Sequence, residues 1–205
     1  MKFPKAVVSG YSKVDTVAME PQSSLINQLL IAMPGMADPN FNSTVTLICE
    51  HNAEGALGVV VNRPMTLNLG GLFEQLALTD ADQSIADYPV LSGGPVARER
   101  GFVLHKPAAT YDSSIAVSPD IHLTLSRDVL DAMAAGNGPD QTLVALGYAG
   151  WDAGQLEQEM LSNTWLTVPA SPDIIFDVPF PDRWSVAAET IGIDISQISV
   201  HAGHA

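Results

Sequence analysis

Short apolar runs separated by polar turn residues dominate the first third of the chain. The run at 28–34 is apolar and ends in Pro-Gly, and those at 44–49 and 56–62 alternate between apolar and polar positions, so all three are predicted to be strands. The segment EHNAEG between the last two runs supplies turn residues. The pair is therefore predicted to form a hairpin in which Gly55 has a positive φ.

The rest of the chain interleaves strands and helices. Further strands are predicted over 88–94, 100–106, 121–125, 141–149 and 164–168. Helices are predicted over 69–78, from a Ser126 N-cap to Gly136, over 153–161 behind an Asp152 cap, and over 181–192. This order, hairpins first and then mixed elements, is typical of an α+β domain with a mixed sheet.

One domain is predicted to span residues 23–196. Residues 1–22 hold three of the four lysines and lack clear periodicity, so they are predicted to form a loosely ordered arm. Residues 197–205 are predicted to be a frayed tail. Neither an internal repeat nor an interdomain linker is evident in the sequence.

Charge and cysteine content limit the partners and the compartment. The chain has 23 acidic against 9 basic residues, a formal net charge of −14, which disfavours direct binding to nucleic acid or to an anionic membrane. The single cysteine, Cys49, excludes an internal disulfide and a Cys-rich zinc site. Because the start does not resemble a signal peptide and no apolar segment approaches the length of a membrane span, a cytoplasmic location is predicted.

Standard catalytic motifs are missing, but Cys49 and His51 stand two positions apart. In a regular strand both side chains would share one face, and the imidazole could promote a nucleophilic thiolate. The alternative is that Cys49 is a small buried apolar residue and His51 begins the turn. Glu50, His51, Glu54, His105 and His122 match no common metal-ligand spacing, so neither a metal nor a cofactor is predicted.

Cationic residues are scarce and gather in one third of the chain, at Arg63, Arg98, Arg100, Lys106 and Arg127. A glycine turn at Gly93-Gly94 could point backbone N–H groups at an anion, with Arg63 or Arg100 supplying a guanidinium. Alternatively, these arginines pair with the abundant carboxylates.

Glycines and aromatic residues also concentrate in the segment LGYAGWDAGQLEQE, 146–159. Tyr148 or Trp151 could wall a pocket there. Close packing of a helix on the sheet accounts for the same residues.

Three long stretches resemble the YqgE/AlgH family of bacterial proteins: LLIAMPGMADPNFNSTVTLICEHNAEGALGVVVNRP, LSGGPVARERGFVLH and LGYAGWDAGQLEQEMLSNTWL. The resemblance implies one α+β domain with a strongly coiled, mixed and largely antiparallel sheet and flanking helices. It implies no agreed catalytic residue, although some members carry the label of transcriptional regulator. The positions that match the family's motifs are Cys49, Glu50, His51, Asn62, Gly93, Gly94, Arg100, Gly101, His105, Tyr148 and Trp151.

The sequence therefore predicts a non-catalytic cytosolic protein that binds a small anionic ligand or a protein partner. Candidate binding residues are Cys49, His51, Asn62, Arg63, Gly93, Gly94, Arg100, His105, Tyr148 and Trp151. A thiol- or histidine-dependent enzyme using Cys49 with His51 or His105 is the alternative, and direct DNA regulation is disfavoured by the charge.

Overall fold

The computed structural model describes residues 24–78 and 82–195. The predicted arm, 1–22, and the predicted tail, 197–205, lie outside the described residues. The strands are β1 (Gln28–Ala32), β2 (Val45–Asn52), β3 (Gly55–Val60), β4 (Pro64–Asn68), β5 (Pro89–Ser92), β6 (Val96–His105), β7 (Ser114–Ser118), β8 (Ile121–Thr124), β9 (Thr142–Asp152) and β10 (Trp165–Pro169). The helices are α1 (Leu69–Gln75), α2 (Asp128–Ala134), α3 (Gln155–Leu161), α4 (Pro172–Phe176) and α5 (Arg183–Glu189), with a 3₁₀ turn at Gln83–Ile85.

A single curled sheet organises the described residues. Its main path runs β10-β1-β2-β3-β9-β6-β8-β7, with β4 and β5 branching beside β9. Neighbours are antiparallel except β5 and β9, which are parallel. The long strand β9 pairs with β6 and β5 through its first half and with β3 through its second half. The sheet turns at this shared strand into a half-barrel, which confirms the predicted α+β class and the mixed, largely antiparallel sheet.

Three apolar clusters hold the helices on the sheet, because most of its strands present buried residues to the helices that cover its faces. The segment containing α4 and α5 packs Ile174, Ile175 and Ala187 against the concave side. Helices α1 and α2 cover a second face. Helix α3 buries Leu156 among residues that include Trp151 and Trp165, and this group is called here the tryptophan cluster.

Arg183 ties α5 to the sheet from a position that is only 2% exposed. Its guanidinium donates to the carbonyl oxygens of Val178 (2.8 Å) and Val61 and lies over the ring of Phe180. Burial lowers the pKa of Arg183 to about 10, against an opposing effect from Asp177. Nothing in the sequence pattern marked this arginine as internal.

Several predicted boundaries and caps were wrong. Helix α2 begins at Asp128 behind Arg127, because the Ser126 hydroxyl bonds instead to Asp128 and to the backbone N–H of Ser113. Asp152 ends β9 rather than capping α3, whose N-cap is Gly154. The prediction of Gly136 just past α2 is confirmed, since it follows the helix with a φ of 72°. The short elements β4, β7 and α4 were not predicted.

The helices found in the described ranges are all too short or too polar to cross a lipid bilayer.

Candidate functional site

A β-bulge separates Cys49 from His51. The pairing of β2 with β3 shifts between Ile48, opposite Gly58, and Glu50, opposite Leu57, so Cys49 has no cross-strand partner. The thiol is 1% exposed, packs with Leu47 in the concave core, and contacts the Leu47 carbonyl oxygen at 3.6 Å. The expectation that the two side chains share a face was wrong, because the inserted residue breaks the alternation of a regular strand.

Burial raises the pKa of the Cys49 thiol, and the nearby Glu50 carboxylate raises it further. A nucleophilic cysteine needs the opposite environment, namely exposure and a neighbouring cation. The geometry therefore favours the structural interpretation of this thiol.

His51 links β2 to the start of the described chain and to α3. Its Nδ1 accepts a hydrogen bond from the backbone N–H of Leu25 (3.0 Å), and its Nε2 lies 2.8 Å from Oε1 of Glu157. Because Nδ1 accepts, the proton is on Nε2 and the ring is neutral in this arrangement. The imidazole bonds to neither Cys49 nor any other nucleophile in the described ranges.

Asn62 and Arg63 follow β3, and their side chains bind backbone groups at the start of β2 and in the segment before it. The Asn62 amide accepts from the N–H of Val45 and donates to the carbonyl oxygen of Ser43, both at 2.9 Å. The Arg63 guanidinium donates to the carbonyl oxygens of Pro39 and Asn42, both at 2.7 Å. Both of these partners of Arg63 are protein carbonyl oxygens, and no carboxylate in the described ranges pairs with it.

Gly93 and Gly94 cross β9 at Gly147, and these three residues are called here the glycine junction. A Cβ on Gly93 would overlap with the Gly147 carbonyl oxygen, and one on Gly147 (φ 77°) would lie 2.5 Å from the Gly94 oxygen. The N–H of Gly93 donates to the Leu146 oxygen at 2.8 Å. Since that N–H is used within the sheet and both glycines of the turn are buried, the predicted anion-binding turn is wrong for Gly93.

Arg100 is exposed and lies over the ring of Phe102, 5.9 Å from its centroid. Phe102 in turn packs against Tyr148, with 5.5 Å between ring centroids. The guanidinium is thus accessible, as predicted, but it stacks on an aromatic ring.

His105 is fully buried between β8 and the loop before β7. Its Nδ1 lies 2.7 Å from the Lys106 carbonyl oxygen and its Nε2 lies 2.8 Å from the Thr124 hydroxyl, while the ring contacts Tyr111 edge-on. A carbonyl only accepts, so Nδ1 carries the proton and Thr124 donates to Nε2. Burial lowers the pKa of His105, which keeps the ring neutral, and the nearby His122 adds to the effect.

Trp151 is 6% exposed and belongs to the tryptophan cluster. Its indole N–H and that of Trp165 both donate to Oε2 of Glu159, at 2.9 and 2.8 Å. Close packing of α3 on the sheet, the second interpretation offered for the glycine-rich turn, accounts for this residue.

Tyr148 has a different environment, because it lines an open groove of about 430 Å³ around the β2–β3 turn. This hairpin groove is lined by residues that include Glu50, Glu54, Leu57, Val96, Tyr148 and Asp152. Val96 is 38% exposed, and Leu57 and Tyr148 are partly buried, so the groove has an apolar wall.

The three carboxylates of the hairpin groove, on Glu50, Glu54 and Asp152, accept no hydrogen bond and form no ion pair with the described residues. Two nearby cations interact with other groups: the guanidinium of Arg63 donates to backbone carbonyl oxygens, and that of Arg100 lies over the ring of Phe102. The sequence pattern offered Glu50 and Glu54 as possible metal ligands, Glu50 also as a family motif position, and Asp152 as a helix cap. The antiparallel pairing of Gly55 with Asp152 brings these three carboxylates into one groove, and the sequence pattern does not predict that pairing.

A second cavity of about 430 Å³ lies near Asp82, Tyr88, Asp140, Gln141 and Asp177. Two of its three carboxylates already accept protein hydrogen bonds, Asp82 from the N–H of Ser84 and Asp177 from the Gln141 amide. No sequence-predicted candidate lines it. Across both described ranges, no group of three or more His, Cys, Asp or Glu side chains has the geometry to hold a metal ion.

Comparison with known proteins identifies relatives along nearly the whole chain. A family model described as AlgH-like matches residues 29–196. The UPF0301 protein of Saccharophagus degradans is 54% identical over 182 residues, covering 89% of each chain. The UPF0301 protein of Thioalkalivibrio sulfidiphilus is 53% identical over 187 residues, covering 91% of this chain and 100% of its own.

One solved structure supports the same relationship, and a second shares the fold. The AlgH protein from Pseudomonas aeruginosa is 46% identical and superposes with a TM-score of 0.74, covering 91% of this chain and 99% of its own. A protein from Corynebacterium diphtheriae, 21% identical, superposes with a TM-score of 0.66 over 87% of this chain and 93% of its own, a likeness of fold alone.

Proposed function

This chain belongs to the AlgH-like family, and on that premise we propose that it is a non-catalytic binding protein whose hairpin groove recognises a basic segment of a partner protein. The observation that carries the proposal is a set of three carboxylates that find no partner among the described residues and lie beside an apolar wall in one groove. A lysine or arginine side chain has the matching composition, with an apolar stem and a cationic end.

The electrostatics of the groove favour a cationic ligand. Glu50, Glu54 and Asp152 line the same groove, so a bound cation can form ion pairs with them. The net charge of −14 adds a long-range field of the same sign, which speeds the encounter with basic partners. Tyr148 supplies a ring face on which a guanidinium or ammonium can rest.

Most of the groups that the anionic-ligand hypothesis requires already interact with other parts of the protein. Arg63 and the N–H of Gly93 are bonded within the fold, and Arg100 stacks on Phe102. The enzyme alternative is weakened in the same way, because Cys49 is buried and both His51 and His105 bond to other groups. A protein partner is the part of the hypothesis that the groove supports.

Binding of fluorescein-labelled hexalysine to the full chain, followed by fluorescence anisotropy, tests the proposal. The variant Glu50→Gln/Glu54→Gln/Asp152→Asn should bind about 10-fold more weakly, since three exposed pairs of about 0.5 kcal/mol each are lost. The attraction should also weaken as salt is added.

A matched control separates the groove from the global charge. Asp87, Asp120 and Glu189 are exposed and do not line the groove, so Asp87→Asn/Asp120→Asn/Glu189→Gln changes the net charge by the same amount. The control should bind hexalysine nearly as the unmodified chain does. Equal weakening by both variants, or no binding by any of the three proteins, would overturn the proposal.

A further inference from the structure

We infer that His51 is a pH-sensitive switch that holds Leu25 on the sheet while its ring is neutral and releases it when the ring is protonated. The inference goes beyond the proposed function and does not depend on it. It rests on the two hydrogen bonds of the ring, because a proton changes one of the two nitrogens from an acceptor into a donor.

The two nitrogens of His51 respond to a proton in opposite ways. Nδ1 accepts the N–H of Leu25 at 3.0 Å, which it can do only while it carries no proton. Nε2 lies 2.8 Å from Oε1 of Glu157 and donates in both protonation states, and this bond becomes charge-assisted when the ring is positive. Protonation therefore removes the bond to Leu25 and strengthens the bond to α3.

Burial of the ring makes the response a movement of the backbone. The His51 side chain is 7% exposed, so little water reaches it in this arrangement. A proton on Nδ1 would point at the N–H of Leu25, and a buried donor that faces another donor is costly. Displacement of the Leu25 backbone lets water reach Nδ1, while Glu157 keeps the positive ring in place.

The neighbouring contacts limit how far the release extends. The Leu25 N–H is bonded to the sheet through His51, and the Leu25 side chain is only partly buried against the tryptophan cluster. Two residues later, the N–H of Asn27 donates to the carbonyl oxygen of Ile48 at 3.0 Å, and the Asn27 carbonyl oxygen accepts from Ala170 at 2.9 Å. These backbone bonds do not respond to a proton on the ring, so the release is expected to end before Asn27.

Glu157 is the carboxylate that bonds to the ring of His51. On the same helix, Glu159 is already bonded to two indole N–H groups, and from β3 the apolar Ala56 lies opposite His51. Successive strand residues point to opposite faces, so Glu50 points away from the ring. No lysine or arginine among the described residues pairs with Glu157. The remaining titratable groups of the three neighbouring strands lie in the hairpin groove or the concave core: Glu54, Asp152, Tyr148 and Cys49.

Amide hydrogen exchange of the full chain, followed by NMR, tests the switch. An imidazole ordinarily gains its second proton at about pH 6.5, so protection of the Leu25 amide is compared at about pH 7.5 and about pH 5. Relative to the Asn27 amide, the Leu25 amide should lose protection about 10-fold at the lower pH, the weight of one hydrogen bond. A general loss of stability would lower the protection of both amides alike, and that outcome would overturn the inference.

Three variants separate the two bonds of the ring. His51→Asn places an amide oxygen near the position of Nδ1 that accepts at every pH, so the ratio of Leu25 to Asn27 protection should not change with pH. Glu157→Gln keeps an acceptor for Nε2 but removes the charge that stabilises the protonated ring, so the release should need a lower pH. Glu189→Gln, at an exposed position in α5, makes the same change in net charge and should leave the release where it is in the unmodified chain.

The chemical shifts of the ring nitrogens give an independent readout in the unmodified chain. His51 should show a proton on Nε2 alone at about pH 7.5 and a proton on both nitrogens at about pH 5. If the ring gains its second proton while the Leu25 amide stays protected, or if it stays neutral at the lower pH, His51 is not a switch. The same loss of Leu25 protection in His51→Asn would assign the pH dependence to another group and overturn the inference as well.

Discussion

The glycine junction and the hairpin groove both lie along β9, yet the polar groups of the junction are hydrogen-bonded within the fold and the carboxylates of the groove are not. At the junction the Gly93 N–H donates to Leu146 and its carbonyl oxygen accepts from Val60, both at 2.8 Å. In the groove, which includes the C-terminal end of β9, the carboxylates of Glu50, Glu54 and Asp152 have no partner in the described chain. Satisfied groups at closely packed positions indicate a structural role, and unsatisfied charges in a concavity indicate a ligand.

The largest effect should follow from a methyl group at the glycine junction. Gly93→Ala places a Cβ into the Gly147 carbonyl oxygen, so two paired strands must separate. We expect a loss of about 3 kcal/mol in the free energy of unfolding, measured by urea denaturation. Gly101→Ala is the control, because its Cβ would meet no atom within 4 Å, and it should stay within about 0.5 kcal/mol of the unmodified chain.

A smaller loss is expected at Asn62. Asn62→Ala removes the acceptor of the Val45 N–H and the donor to the Ser43 carbonyl, at a cost of about 1–3 kcal/mol in urea denaturation. Asn137→Ala, at an exposed site where the structure records only a backbone hydrogen bond, should cost little. Hexalysine affinity should be the same in both variants. A large loss of affinity in Asn62→Ala without a loss of stability would move this residue from the structural region to the binding site.

His105 should make stability depend on pH. Burial lowers its pKa below the ordinary value of 6.5, so the unfolded chain binds this proton more readily than the folded one. The stability contributed by the neutral ring is therefore complete above about pH 6.5 and is lost as the pH falls below it. Urea denaturation between about pH 7.5 and pH 5 should show this decline, and His105→Gln should remove most of it. An unchanged slope in the variant would show that other groups cause the dependence.

How far the sequence could predict these regions depends on whether a feature is local. The β2–β3 hairpin and the positive φ of Gly55, which is 136°, follow from neighbouring residues and were predicted. The bulge at Cys49 was not, because it depends on the register of β2 against β3. The short strand β7 lacks a long periodic pattern and is recognisable only from its pairing with β8.

The candidate residues also fall into two groups, those that the structure shows bonded within the fold and those that line the hairpin groove. Family motifs drew attention to residues such as His51, Asn62 and Gly93, which the structure shows bonded within the fold. Of the ten candidates, Tyr148 and Trp151 line the hairpin groove, and Trp151 does so while its indole is bonded to Glu159. The decisive carboxylates come from two segments about a hundred residues apart, so only strand pairing reveals them together.

The smallest effect should be a gain in stability when the hairpin groove is neutralised. Glu50, Glu54 and Asp152 are like charges in one groove without a compensating partner in the described chain, so we expect a net repulsion, and residues kept for binding at the expense of stability have this signature. Glu50→Gln/Glu54→Gln/Asp152→Asn should raise the free energy of unfolding by about 0.5 kcal/mol in low salt, and the gain should shrink as salt screens the repulsion. Asp87→Asn/Asp120→Asn/Glu189→Gln relieves the same net charge from sites that do not share the groove, so its gain should be smaller. A variant that loses both stability and hexalysine affinity would place these carboxylates in the structural region with Asn62, and the contrast between the glycine junction and the hairpin groove would then no longer hold.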